Sequence, residues 1–213
     1  DAREKLRAAK PEDKMTVFAV LMRLREICCD PRLVADNWTG SSAKLEACLE
    51  LVTEAVAGGH RILLFSQFTS MLELLAKRLD EAGVSHFTLQ GSTPKPVRAE
   101  QVRRFNQGEA DVFLISLRAG GTGLNLTAAD IVIHYDPWWN LAAQNQATDR
   151  AYRIGQRNPV QVYRLIAQDT IEEKIVELQQ AKQSLADTVT GGADGAILSM
   201  NPEQLLQLLG EEA

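Results

Sequence analysis

From His60 onward, short and uninterrupted apolar runs alternate with segments that have a helical apolar period. Runs that are apolar at every position are typical of strands covered on both faces, and alternating strands and helices are joined by right-handed crossovers. These features predict an α/β fold, a parallel β-sheet sandwiched by helices. The predicted strands are 62–65, 87–89, 112–115, 131–133 and 160–165, and the first helices between them are 69–82 and 96–106.

Helical patterns flank this core on both sides. One helix stops at Asp30-Pro31, and a second begins at the cap Ser42 and ends at Gly58-Gly59. The stretch Thr170-Ile171-Glu172-Glu173 reads as a capping box that begins a long helix. The chain is therefore predicted to comprise a helical lead-in at 1–58, a core at 59–168, and C-terminal helices at 169–213.

Composition narrows the classes of protein that fit. The chain has 213 residues and is 45% apolar, which is enough for one well-packed domain. It has no apolar run long enough to cross a bilayer and no apolar signal segment, so we expect an intracellular protein without a membrane partner, cytoplasmic or nucleoid-bound in a bacterium and nuclear in a eukaryote. Because the sequence does not begin with methionine, we also expect a piece of a longer chain.

Cysteine, histidine and charge patterns add further limits. The three cysteines lack C-x-x-C spacing and the histidines lack metal-ligand spacing, so the sequence predicts neither a disulfide framework nor a metal site. The net charge is −5, but residues 138–164 carry four arginines and one acid, whereas residues 165–213 carry nine acids and two lysines. This distribution predicts a basic site on one face of an otherwise acidic protein.

The stretch from Gln146 to Gln156 contains the candidate catalytic residues. Arg150 and Arg153 are three positions apart on a predicted helix, which brings both guanidinium groups to one face, and Asp149 and Gln146 are near enough to orient them. Such a pair suits a polyphosphate, since an arginine supplied to a transferring γ-phosphoryl group is worth roughly 10³- to 10⁵-fold in rate. The alternative is a surface helix with solvated arginines.

Loops after the strands supply the remaining candidates, because ligands of parallel sheets lie beyond the carboxyl ends of the strands. Residues 116–126 hold three glycines in four positions, which would let backbone N–H groups approach an anion, although a plain turn fits as well. Ser66 and Gln67 can donate to phosphate oxygens or cap a helix, and Arg98 can bind phosphate or be solvated. Paired tryptophans, Trp138 and Trp139, can pack in the core or lie against a sugar or base.

Four stretches, taken together, resemble motifs of a known family in order and spacing: 62–68, 116–126, 134–140 and 146–156. They resemble motifs IV, V and VI of the Swi/Snf family, ATP-driven double-stranded DNA translocases of helicase superfamily 2. The resemblance covers about residues 15–190 and corresponds to the second, C-terminal RecA-like lobe, which implies a RecA-like sheet. Leu141 and Gln90 depart from the family pattern, which commonly has Pro and Asp there.

The resemblance also implies roles for individual residues. Arg150 and Arg153 match the motif VI arginines, which reach ATP bound by the first lobe. Motif V, which couples the nucleotide to the DNA strand, and the start of motif VI give the predicted nucleotide-side residues Gly121, Gly123, Asn125 and Gln146. The predicted DNA-side residues are Ser66, Gln67, Ser116, Arg118 and Trp139, together with the candidate phosphate contact Arg98.

The function implied is that of one half of a DNA-dependent ATPase. ATP with Mg²⁺ would be held mainly by the N-terminal RecA-like lobe of the same protein, because this chain has no G-x-x-x-x-G-K-[ST] phosphate loop. Alone, the lobe is expected to be inactive. The expected partners are double-stranded DNA, the first lobe, and a protein that covers the apolar terminal helix at 205–209. The alternative is a nucleic-acid-binding or docking module that does not hydrolyse ATP.

Overall fold

A five-stranded sheet, parallel in every pairing, organises the residues that the computed structural model describes: 14–35, 37–120, 124–149 and 159–186. The strand order is β2-β3-β1-β4-β5, and helices join the first three strands in the manner predicted, whereas the short helix after β3 was not predicted. The elements are α1 (Lys14–Cys29), a 3-10 turn (Pro31–Leu33), α2 (Ala43–Ala57), β1 (Ile62–Ser66), α3 (Thr69–Glu81), β2 (His86–Leu89), α4 (Lys95–Asn106), β3 (Val112–Ser116), α5 (Leu117–Gly120), β4 (Ile131–His134), α6 (Leu141–Thr148), β5 (Gln161–Arg164) and α7 (Ile171–Ala186).

The chain divides into two compact units. One holds the sheet and comprises residues 40–138 and 142–165, and the other comprises residues 1–39, 139–141 and 166–213. The helix α2 belongs to the first unit, where it packs against β1 and α3. The predicted helix at 205–209 and the glycines at 191–192 lie outside the described residues.

The burial of each strand explains how well the sequence predicted it. The central strands β1, β3 and β4 are buried at every position, as their unbroken apolar runs predict. The edge strand β5 is mostly exposed and includes a partly exposed Val162, so the expectation that this strand is covered on both faces was wrong. An edge strand pairs on one side only, and β5 begins with Gln161 and ends with Arg164, so that only its two middle residues are apolar.

Two helix ends follow the predicted capping chemistry. The Ser42 hydroxyl accepts a hydrogen bond from the Leu45 N–H at 3.4 Å, which satisfies one of the free donors at the start of α2. The helix α1 ends at Cys29, and the buried Asp30 carboxylate then accepts from the backbone N–H of Arg32 at 2.9 Å. The residues Pro31–Leu33 thus form a capped turn directly after the helix.

The start of α7 differs from the predicted capping box. In such a box the acid returns to the N–H of the capping threonine, but here Glu173 accepts from the N–H of Asp169 and Glu172 accepts from the N–H of Ala167, both at 2.8 Å. Thr170 donates its hydroxyl to the Ala167 carbonyl at 2.6 Å. The Thr170 oxygen also accepts from the N–H of Glu172 at 3.2 Å, so the threonine caps the helix as predicted and only the returning bond of the acid differs.

Gly108 is expected to be a position where alanine destabilises this fold. Its φ is +85°, and a Cβ there would collide with the guanidinium of Arg61, so Gly108→Ala should lower the free energy of unfolding by about 1–2 kcal/mol and Tm by about 3–6 °C. Gly91→Ala is the matched control, because a Cβ at Gly91 meets no atom within 4 Å. Thermal unfolding of both variants measures the difference. Equal midpoints would contradict the backbone conformation at Gly108.

Candidate functional site

The strand order defines one switch point. The chain leaves β1 toward β2 on one side of the sheet, and it leaves β4 toward β5 on the other side. The connections therefore diverge between the carboxyl ends of β1 and β4, which are hydrogen-bonded neighbours with Phe65 opposite His134. Ligands of open α/β sheets bind in the crevice at such a point. The candidate site is built from the loops that follow these two strands and β3.

A buried carboxylate joins the two loops at the switch point. The Ser66 hydroxyl donates to Asp136 Oδ1 at 2.5 Å, and the Gln67 N–H donates to the same oxygen at 3.3 Å. Both Ser66 and Asp136 are almost fully buried. The Ser66 oxygen also accepts from the N–H of Phe68 at 3.2 Å. The Ser66 hydroxyl thus shapes the loop from within, and its predicted contact with a DNA phosphate, which would require these bonds to break, stays a prediction.

Gln67 keeps donors that the described part of the structure does not use. Its side chain is half-buried, and its Nε2 atom has no hydrogen-bond partner among the described residues. A buried amide that lacks a partner costs roughly 1–3 kcal/mol, which an incoming acceptor recovers. Gln67 therefore has the geometry expected of a ligand-binding residue, in contrast to Ser66.

The loop after β3 begins with a capped turn. Ser116 is buried, and its hydroxyl accepts from the N–H of Ala119 at 3.3 Å, so it has a structural role in the turn, and its contact with DNA stays a prediction. Asn125 has an exposed side chain, and its carbonyl accepts from Nδ2 of Asn106 at 2.8 Å. The predicted residues Gly121 and Gly123, and the side chain of Arg118, lie outside what the structure describes.

The loop after β4 is fixed to the start of α6. The Trp138 N–H donates to Oε1 of the buried Gln144 at 3.1 Å, and the Trp138 ring is half-buried against the core around β1 and β3. Of the two alternatives for Trp138, packing in the core or contact with a sugar or base, the structure shows the first. Sequence reasoning missed Asp136 and Gln144 as positioning residues, although the motif at 134–140 contained the first of them.

The helix α6 leads to the predicted arginines. Gln146 is exposed on this helix, and the N–H of Asp149 donates to the carbonyl of Asn145 at 2.9 Å, so helical hydrogen bonding reaches Asp149. Arg150, Arg153 and the predicted helix end at Gly155 lie outside the described residues. Their roles stay predictions.

His134, the last residue of β4, lies beneath this helix. It is almost fully buried, its ring stacks on Phe65 with centroids 5.5 Å apart, and its Nε2 lies 2.8 Å from the hydroxyl of Thr148 on α6. Burial, together with a smaller effect of the positive charge of Arg164, lowers the pKa of His134 to about 4. From the sequence, His134 was predicted only to lie at the end of a strand, because no local pattern indicates its contact with Thr148.

In the other unit, Trp139 has a cationic neighbour. The guanidinium of Arg25, on α1, lies 4.5 Å from the centroid of the Trp139 ring, and Arg25 is fully buried. Desolvated cation–π contacts of this kind are worth about 2 kcal/mol. The half-buried Trp139 is thereby held in one orientation, and its contact with DNA stays a prediction. The sequence did not suggest Arg25.

The remaining candidates are Arg98, a metal site and a membrane-spanning helix. Arg98 lies on α4 with a half-buried side chain. Among the described residues, no group of three or more His, Cys, Asp or Glu side chains is placed to hold a metal ion. In the same part of the chain, no helix is long and apolar enough to cross a membrane.

The fold and site define a class: an α/β lobe of the RecA-like type, with its polar loops at the switch point of a parallel sheet. The chain belongs to the helicase conserved C-terminal domain family, which residues 43–155 match. This membership confirms the fold class and the family that the sequence motifs indicated.

Particular relatives extend this result. The chain is 41% identical over 201 residues to the putative ATP-dependent helicase/translocase YwqA of Bacillus subtilis, covering 92% of this chain and 22% of that protein. It is similar to the C-terminal domain of the Sulfolobus solfataricus SWI2/SNF2 ATPase, with a TM-score of 0.78 and 27% identity over 100% of this chain and 89% of that one. The ATPase core in complex with dsDNA gives a TM-score of 0.80, 29% identity, and coverage of 100% and 46%. The chain spans about a fifth of the length of the curated relatives that it matches.

Proposed function

We propose that this chain is the C-terminal motor lobe of an ATP-dependent double-stranded DNA translocase or remodeller. The observation that carries the proposal is the switch point between β1 and β4, where a buried carboxylate, Asp136, holds two polar loops in fixed positions. Its relatives are ATP-dependent helicases, and they are several times longer than this chain. A first lobe that binds the nucleotide is therefore part of the proposal.

The proposed role of this lobe in ATP hydrolysis is electrostatic. Arg150 and Arg153 follow α6 and are proposed to reach the γ-phosphate of ATP bound by the first lobe, where they stabilise developing negative charge. Gly121, Gly123, Asn125 and Gln146 are proposed to lie on the same side. Mg²⁺, which neutralises phosphate charge when bound, is proposed to be held by the first lobe, because the described residues offer it no cluster of ligands.

DNA is the proposed partner of the loops after β1 and β3. Support comes from the unused amide donor of Gln67 and from the similarity to an ATPase core whose structure contains dsDNA. Arg118, Arg98 and Trp139 are proposed to make further contacts, whereas Ser66 and Ser116 are proposed to shape the loops from within. Contacts of these kinds go to the DNA backbone, so binding should be strongly salt-dependent and should lack sequence preference.

The experiment that tests the proposal measures ATPase activity of the full-length protein with and without duplex DNA, at 50 and about 200 mM salt. We expect DNA to stimulate turnover, the higher salt to weaken the stimulation, and duplexes of unrelated sequence to act alike. The 213-residue chain alone should be inactive. DNA binding by the full-length protein without any ATP turnover would overturn the motor and favour the docking module.

A further inference from the structure

One polar contact holds the end of α6 against the sheet. Nε2 of His134, at the carboxyl end of β4, lies 2.8 Å from the hydroxyl oxygen of Thr148, the last residue of α6. The Thr148 hydroxyl also donates to the carbonyl of Gln144 at 3.2 Å, one turn earlier in the same helix. The contact joins elements that are 14 residues apart in sequence.

The second bond determines which form of the imidazole is present. A hydroxyl has one hydrogen, and Thr148 gives it to Gln144, so the Thr148 oxygen must accept from His134. His134 is therefore the tautomer that carries its proton on Nε2. Its Nδ1 is buried and has no hydrogen-bond partner among the described residues, so a second proton there would be an unsatisfied donor. The neutral imidazole thus acts as a fixed donor to α6.

Two further contacts hold the same helix. Gln144 accepts from the N–H of Trp138 at 3.1 Å, and Ala147, next to Thr148, packs in the core that contains β1 and β3. Thr148 lies only two residues before Arg150. The contact of His134 thus joins the sheet to α6 only two residues before the first of the proposed phosphate-binding arginines.

We infer that His134 is a positioning residue for ATP hydrolysis, which acts by donating to Thr148 and thereby fixing the last turn of α6 ahead of Arg150 and Arg153. This inference rests on the proposed function, because it gives His134 a role only if those arginines serve the nucleotide. The ring of His134 also stacks on Phe65, beside the loop with Ser66 and Gln67.

The test uses three variants of the full-length protein. His134→Phe keeps an aromatic ring against Phe65 but loses the donor, Thr148→Val loses the acceptor at equal size, and Thr148→Ser keeps it. We expect the first two to lower kcat of DNA-stimulated ATP hydrolysis about tenfold with KM for ATP changed less than about twofold, since misplaced arginines weaken the transition state more than the ground state. Thr148→Ser should remain within about threefold of the parent kcat.

A double variant and a control variant show whether the effect is specific to the hydrogen bond between His134 and Thr148. His134→Phe with Thr148→Val should be no slower than either single variant, because each one already breaks the same bond. Thr53→Val removes a hydroxyl that donates to a helix carbonyl in the same way, to Leu49 at 2.9 Å, but on α2 and away from this site, so its kcat should equal the parent value. Circular dichroism and thermal unfolding confirm that each variant is folded.

Several outcomes would overturn the inference. Normal kcat in Thr148→Val would do so even if His134→Phe fails to fold, and so would losses that multiply to about a hundredfold in the double variant. Arg150→Ala, measured alongside, separates the two proposals. If Arg150→Ala is inactive and Thr148→Val is normal, the role of His134 is wrong and the proposed function stands. If Arg150→Ala and Arg153→Ala both have normal turnover, the catalytic assignment of these arginines and the role of His134 are both wrong.

Discussion

Replacing Arg150 or Arg153 with alanine is expected to lower DNA-stimulated ATPase activity of the full-length protein by at least about 10²-fold, with little loss of DNA binding. The physical reason is that an arginine beside a transferring phosphoryl group acts mainly on the charge that develops in the transition state. Its removal should therefore reduce kcat much more than affinity. Steady-state turnover and DNA titration of the same protein samples measure the two effects separately.

Arg103 provides the matched control for these variants. It is an exposed arginine on α4, paired with the exposed Glu100 at 2.6 Å, and such surface pairs contribute little to stability. Arg103→Ala should leave ATP turnover unchanged. If turnover is equally unchanged in Arg150→Ala and Arg153→Ala, those two arginines are solvated surface residues and the catalytic assignment is wrong.

Acid is expected to destabilise this fold through His134. Its pKa is lowered from 6.5 to about 4 in the folded protein, so the neutral ring contributes its full stability above about pH 6.5. As the pH falls below that value, the unfolded chain takes up the proton first, and stability is lost progressively until the pH passes about 4. The shift corresponds to about 3 kcal/mol of unfolding free energy over this range.

His134→Phe isolates this contribution, because phenylalanine does not titrate and keeps the stacking on Phe65. Denaturant unfolding of the parent and the variant should be measured from pH 7 to about pH 4, and the difference between their free energies recorded. We expect the parent to lose about 3 kcal/mol more than the variant. If the unfolding free energies of the parent and the variant change equally with pH, the ring of His134 is protonated in the folded protein or exposed to water, and the prediction is wrong.

The sequence predicted the central strands well and the edge strand less well. The strands β1, β3 and β4 are buried on both faces, so their apolar runs carry the information locally. The run at 160–165 is interrupted by Gln161 and Arg164, and β5 has a neighbour on one side only and remains mostly exposed. Strand position in a sheet depends on pairings between distant segments, which no local window contains.

The candidate site divides in a similar way. The sequence indicated the loops that matter, because glycines, tryptophans and neutral donors follow the predicted strands. It did not indicate that Ser66 and Ser116 are turned inward, since that depends on Asp136, which is 70 residues from Ser66, and on the backbone of Ala119. The contacts of Arg25 with Trp139 and of His134 with Thr148 were likewise invisible, because each joins separate elements.

The sequence by itself determined the α/β class, the family, the ends of most helices, and the residue types available for phosphate and DNA. These properties follow from apolar period, capping and motif spacing, all of which are local in the chain. Only the tertiary structure decided which polar groups can bind a ligand and which already form hydrogen bonds inside the protein. The pairing of β1 with β4 brings Ser66 to Asp136 and places His134 beneath α6. Because a buried hydrogen bond satisfies both of its partners, neither group is then available to bind a ligand at the surface.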